Sequence, residues 1–485
     1  MTPLAAQAGT AAKGGRLPTP VILSFASAAL PVAALALAMG VYLPRFYAGH
    51  IGLSLVAVGL AFTIVRLIDI VFDPLLGAVM DRTRTPIGRY RPWMIIGAPV
   101  LMGSIYMLFN PPADADRGYL ILWLLALYVG ISIMTLAHAA WAAALAAGYH
   151  DRSRVYGWMH AVGVVGAVGL LFLPKFTGGA VDPGRGQSMG AVGWVLIAAV
   201  PVTMLLMLGF SPEKVSVDST REAFGPKDYW DMIARPTMRR LILADLALAL
   251  GPGTTTAIYI FFFHDAKGFP IAVTSLLLVP YIGAGILGAP IWARIAQKFG
   301  KHRTLMGATV CYAVAQSILM AIPKGLLVPT AVGMFCVGFV ASAFILLIRA
   351  MVADVADEVR LQQGKERLGL LYAMVTSTQK VGAAISVGII FPVLAAVGYN
   401  AAENAVNTPE AIRGLEMCYL FAPIVFVLVG GACFFGYSLD AERHAEIRKA
   451  LDIRDAQGLE SSIVEQITGS QTLPDVSVEP KRRSS

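Results

Sequence analysis

Twelve apolar blocks set the limits on what this chain can fold into. They run roughly over 21–48, 53–80, 92–110, 119–147, 155–176, 189–210, 241–263, 272–296, 304–322, 326–349, 369–397 and 415–437. A block of about 20 apolar residues is long enough to cross a hydrocarbon layer as a helix. Of the 485 residues, 57% are hydrophobic and 14% charged, where an ordinary soluble domain has about a quarter charged. So many long blocks exclude a large soluble enzyme with buried helices. They predict an all-α membrane protein with twelve transmembrane helices.

The net charge of +8 would suit a nucleic-acid partner in amount, but its placement argues against one. The basic clusters RTRTPIGRYR, DRSR, the 212–240 loop, KFGKHR, GKER and the tail all fall on one side of the spans. Positive charge gathers on the cytoplasmic side of membrane proteins. The expectation is a multi-pass protein of the cell (inner) membrane with both termini in the cytoplasm. Cys311, Cys336, Cys418 and Cys433 all lie within apolar blocks, so no disulfide is expected. The first block is too long for a signal-peptide core and reads as a retained span.

Six spans, a long polar loop and six spans suggest an internal repeat. The expected units are a mobile cytoplasmic leader (1–20), a six-helix bundle (21–210), a cytoplasmic connector with one short amphipathic helix (211–240), a second bundle (241–437) and a cytoplasmic tail (438–485). The tail opens as a helix, DAERHAEIRKALDIRDA, and its polar end lacks the apolar content to fold alone. After span two comes G-AVMDRTRTPIG-RYR from Gly77. After span eight comes the looser G-APIWARIAQKFG-KHR from Gly288. A glycine-and-arginine loop at matching places in both halves is the pattern of the major facilitator fold: two bundles that rock around a central cavity.

Asp69 and Asp73 stand out within span two. Their i, i+4 spacing puts them on one helix face, with Arg66 close to it. A carboxylate at mid-membrane costs a few kcal/mol or more, and two of them repel unless a cation lies between. Hard oxygen ligands suit Na⁺, Li⁺ or H⁺. The competing reading is a structural ion pair with Arg66. Lys380, a lone cation in span eleven, is the expected charge partner, unless it snorkels to the interface. Thr135, His138, Trp141 and His160 are candidates for lining a substrate cavity; each histidine could equally be a packed, hydrogen-bonded residue. Between spans ten and eleven, Asp354, Asp357 and Glu358 precede Arg360, Lys365 and Arg367. With Asp81, Arg82, Arg89 and Arg91 they are expected to form a cytoplasmic gate that holds the outward-facing state, or else a merely solvated loop. Asp245 is expected to pair with the adjacent Arg239 and Arg240, and Tyr42, Phe46 and Tyr47 to form an outer aromatic belt. No P-loop, zinc-spaced His/Cys set or nucleophile elbow is present, so no cofactor and no enzyme activity are expected.

R-L-I-D-I-V-F-D-P, D-R-T-R-T-P-I-G-R-Y-R-P-W and M-V-A-D-V-A-D-E…G-K-E-R-L-G…Q-K-V-G together resemble the glycoside–pentoside–hexuronide:cation symporter family, the group that contains melibiose permease. The resemblance covers about 30–437. It implies that Asp69 and Asp73 bind the coupling cation and that Lys380 sits beside them. Asp354 and Asp357 also match its pattern. The sugar-gripping residues do not match. The span-one aspartate of melibiose permease falls near Ala33, its span-five arginine near Met159 or His160, and its span-four aspartate near Thr135.

The leading expectation is cation-coupled symport (Na⁺ or H⁺) of a small organic solute, a sugar, glycoside or related compound, by a monomeric unit. A cavity without the sugar-binding acids leaves open a lysolipid or other amphipathic solute. A non-transporting membrane sensor, with the tail as its signalling segment, is the alternative of another class.

Overall fold

The computed structural model describes residues 17–145, 149–177, 188–213, 226–364, 367–402 and 405–468. Among them, twelve helices are long and apolar enough to cross a membrane. In chain order they are α1 (Thr19–His50), α2 (Leu55–Arg82), α3 (Arg91–Phe109), α4 (Arg117–Leu145), α5 (Tyr149–Phe176), α6 (Met189–Phe210), α7 (Pro236–Ala266), α8 (Ile271–Phe299), α9 (Lys301–Ala321), α10 (Leu327–Gln363), α11 (Leu368–Ala396) and α12 (Pro409–Ala432). A short helix, Pro226–Ile233, lies in the connector, and α13 (Ala441–Thr468) follows the last span.

The two halves pack by one scheme. In the first bundle α1 packs on α5 and α6, α2 on α4, and α3 on α4 and α6. In the second, α7 packs on α11 and α12, α8 on α10, and α9 on α10 and α12. Each pairing reappears six helices later. The repeat extends to the loops. Gly88 after α2 and Gly300 after α8 both hold positive φ, +123° and +86°, which a side chain would strain. Helices α1 and α7 both finish in a π-helical turn, Phe46–His50 and Phe262–Ala266.

Local chemistry sets the helix ends. The Ser54 hydroxyl accepts from the Ala57 amide at α2, and the Thr408 hydroxyl from the Ala411 amide at α12, each satisfying an otherwise orphaned donor. Helix α10 runs well past the expected end of its span. The segment DVADEVRLQQ is rich in helix formers, and the helix stops only at Gly364, which is left-handed (φ +70°). Asp354, Asp357 and Glu358 therefore stand on a helix rather than in a loop.

Two chain ends define two faces. The basic face carries the α2–α3 loop, the connector and α13. The bundles meet towards the opposite face, chiefly through α2 and α11. There the Thr63 hydroxyl donates to the Ala384 carbonyl at 3.0 Å, and a Cβ on Gly388 would collide with Thr63. Gly40 of α1 faces Thr256 of α7, and the Arg45 guanidinium lies 5.4 Å from the Phe261 ring centre. Tyr42, Phe46 and Tyr47 belong to this packing and are buried. They do not form an exposed belt, because α1 ends against its neighbours, with the Tyr47 hydroxyl donating to the Leu108 carbonyl.

Candidate cation site and cavity

At the middle of α2, Asp69 is 2% exposed. Its Oδ1 accepts from the Ser132 hydroxyl of α4 at 2.7 Å. Its Oδ2 accepts from Lys380 Nζ of α11 at 3.3 Å and lies 3.5 Å from an Arg66 guanidinium nitrogen. One turn on, Asp73 Oδ2 makes the closest contact to Lys380 Nζ. The two carboxylates share one ammonium, which their i, i+4 spacing permits and the packing of α11 on α2 brings about. Arg66 also stacks on Tyr128, 4.7 Å from the ring centre. Both charges of each sign are thus accounted for: Asp69 and Asp73 against Arg66 and Lys380.

The cluster joins the bundles, since α2 and α4 belong to one and α11 to the other. One oxygen of the pair lacks a donor. Asp73 Oδ1 is buried and has no hydrogen-bond partner among the described residues. A desolvated carboxylate oxygen without a donor is costly. A small cation on Asp69, Asp73 and the Ser132 hydroxyl would satisfy it and release Lys380, whose ammonium stands where positive charge is needed.

The four cavity candidates divide. Thr135 of α4 is exposed, one turn from Ser132, with its hydroxyl on the Ile131 carbonyl. His160 is exposed on α5. His138 and Trp141 are not available to a solute. His138 is buried, its Nε2 2.9 Å from the Phe25 carbonyl. Trp141 is fully buried, edge-on to Phe25 at 5.5 Å, with its indole N–H 3.4 Å from the Pro212 carbonyl. Both sit on the α4 face turned towards α1, where large rings fill core volume.

Among the described residues, the expected pairs of Asp354 and Asp357 with the arginine loop are also absent. Arg89, Tyr90 and Arg91 give their backbone amides to the Glu213 carboxylate at 2.6, 2.8 and 3.2 Å, and Arg91 donates to the Ser211 carbonyl at 2.8 Å. Asp354 instead takes Lys301 of α9 at 2.5 and 2.7 Å. Asp357 takes His444 of α13 at 3.0 Å. Each partner lies in the same half of the chain. Arg82 is exposed, and the side chain of Asp81 falls outside the described residues. Asp245 does not pair with Arg239 or Arg240. It is 3% exposed within α7, which begins earlier than its apolar block, and it accepts from Gln379 at 3.4 Å. Arg240 instead donates to the carbonyls of Phe435 and Gly436.

Sequence reasoning missed Ser132, Tyr128, Glu213 and Lys301. A serine in an apolar helix usually bonds its own backbone, so nothing in the local pattern marks Ser132. Nothing in the local pattern marks Glu213 either: it is one of several acids in a connector of mixed charge, and only the fold sets it beside the arginine loop.

The family described as MFS/sugar transport protein matches residues 24–441. The isoprimeverose transporter of Lactiplantibacillus pentosus is 24% identical over 417 residues, covering 82% of this chain and 84% of that protein. The glucuronide carrier protein homolog of Escherichia coli (strain K12) is 22% identical over 453 residues, covering 89% and 95%. The sodium-dependent lysophosphatidylcholine symporter 1 of Homo sapiens is 24% identical over 428 residues, covering 80% and 77%. Among solved structures, the nucleoside transporter NupG superposes with a TM-score of 0.66 at 12% identity, covering 85% of this chain and 98% of that one. That likeness speaks for the fold alone.

Proposed function

Since the chain belongs to the MFS/sugar transport protein family, and is therefore a multi-pass membrane transporter rather than an enzyme, we propose that it is a cation-coupled symporter of a sugar or glycoside. The observation that carries this reading is the Asp69–Lys380–Asp73 cluster. A coupling cation takes the two carboxylates, the open Asp73 Oδ1 and the Ser132 hydroxyl. It displaces Lys380, and with it the tie between α2 and α11. Cation binding and bundle movement are then linked by one side chain. Na⁺, Li⁺ and H⁺ all fit the donor set.

The basic face is cytoplasmic by its excess of Lys and Arg, with both termini there and the protein in the inner membrane. The cross-bundle contacts described above lie towards the outer face and at mid-span, which we read as an inward-facing arrangement. Thr135 and His160 are the candidates left for the solute, and one protomer holds the whole site. A second reading has its own support. Span one has no acid, and the human lysophosphatidylcholine symporter is among the relatives. An amphipathic solute is its cargo in that reading.

Proteoliposomes preloaded to give an inward Na⁺ or proton gradient test the proposal with a panel of labelled glycosides and lysolipids. Accumulation above equilibrium that collapses with the gradient is the expected result. Binding without accumulation, for every member of the panel and either gradient, would leave a sensor as the better account.

A further inference from the structure

Helix α13 is built to bind α10. Asp440 caps its start, Oδ1 accepting from the Arg443 amide at 2.9 Å. His444, Ile447, Arg448 and Leu451 then fall on one face at i, i+3, i+4 and i+7. Ile447 and Leu451 are buried. His444 Nε2 lies 3.0 Å from Asp357 Oδ2 and 3.4 Å from Asp354 Oδ1, and Arg448 lies 3.5 Å from Asp357 Oδ1. Further along, Arg454 donates to the Arg360 carbonyl at 3.0 Å. The remaining acid, Glu358, accepts from the Thr237 hydroxyl. Lys301 holds Asp354 from the other side. The whole acidic row of α10 is engaged within its own half of the molecule. The arginine loop belongs to the first bundle, its amides held by Glu213.

We propose that α13 is an autoinhibitory strap that holds the carrier inward-facing by occupying Asp354 and Asp357. Closing the cytoplasmic mouth brings the arginine loop towards α10, and the loop then needs the carboxylates that His444 and Arg448 occupy. A contact made in one state and not in the other biases the equilibrium by its own differential strength. The strap thus slows the return to the outward-facing state, and anything that lifts α13 accelerates it. This rests on the alternating-access reading above, but its test reads conformation and needs no solute, so the two can fail separately.

The test is hydrogen exchange on the purified full-length protein, comparing the native chain with the His444→Ala/Arg448→Ala variant. The expected result is exchange slowed about fivefold in the cytoplasmic halves of α2 and α11, as the mouth closes more often. Exchange changed only in α13 and the end of α10, or nowhere, would overturn the proposal. An Asp354→Asn/Asp357→Asn variant guards against a folding defect. It frees α13 as the alanine variant does but removes the carboxylates that the arginine loop needs, so it should keep the native inward pattern. Exchange slowed to the same extent in both variants would also overturn the proposal.

Discussion

Asp69 and Asp73 share one lysine, and this decides what a single substitution can do. Asp69→Asn or Asp73→Asn leaves Lys380 and Arg66 in excess over one carboxylate. The expected outcome is normal insertion with loss of all cation-dependent uptake, measured against the native chain at equal membrane level. Ser132→Ala is milder. It removes one neutral ligand, worth about 1.4 kcal/mol at the upper end for a hydrogen bond, so cation affinity should fall about tenfold in a titration of thermal stability. An unchanged midpoint would remove Ser132 from the ligand set. Trp141 lies at the other extreme. Fully buried against Phe25, its truncation to alanine should cost about 3–5 kcal/mol of stability while leaving the order of solute preference intact in competition assays. At this scale the acids and Lys380 were legible because charges in oil stand out. Ser132 was not, since only the meeting of α2 and α4 gives its hydroxyl a carboxylate.

Helices, in turn, were legible by length and polarity, while their ends were not. The apolar block of α10 stops near Arg349, but the helix continues to Gln363, because backbone hydrogen bonding does not end where lipid does. That extension turns an apparent loop of charges into a row on one face, ready for α13. The start of α3 shows a second case: its first amides have no intrahelical partner, and Glu213 supplies the acceptor from the far end of α6. Glu213→Ala should destabilise this corner by about 1–2 kcal/mol, the scale of a lost helix cap, seen as a lower melting temperature and faster exchange at 89–91. A survey of that segment with no change would make the contact incidental.

For the whole molecule the relevant quantity is the linkage between cation binding and the approach of the two bundles. A cation that binds the folded site alone should stabilise the protein by about 2.7 kcal/mol at a concentration 100 times its Kd. The rise in melting temperature should appear with Na⁺, Li⁺ or falling pH according to which one couples, and vanish in Asp73→Asn. Gly388 offers a separate handle. Thr63 approaches it too closely for a side chain, so Gly388→Leu should hold the outer ends of α2 and α11 apart. The checks are faster hydrogen exchange near Thr63 and a slower transport cycle. Unaltered exchange there would mean that the helices separate at no cost.

By itself the sequence determined the number of spans, the six-plus-six repeat, the basic face and the pair of acids. These follow from hydrophobic length, charge placement and helical spacing, which are properties of the chain read along one dimension. Tertiary structure decided the rest. It put Lys380 between Asp69 and Asp73, set the Ser132 hydroxyl on Asp69, buried His138 and Trp141 in the core, and handed Asp354 and Asp357 to Lys301 and His444 rather than to the arginine loop. Partners separated by tens to hundreds of residues meet only when helices pack, and which of several basic groups an acid takes depends on which of them the packing brings beside it.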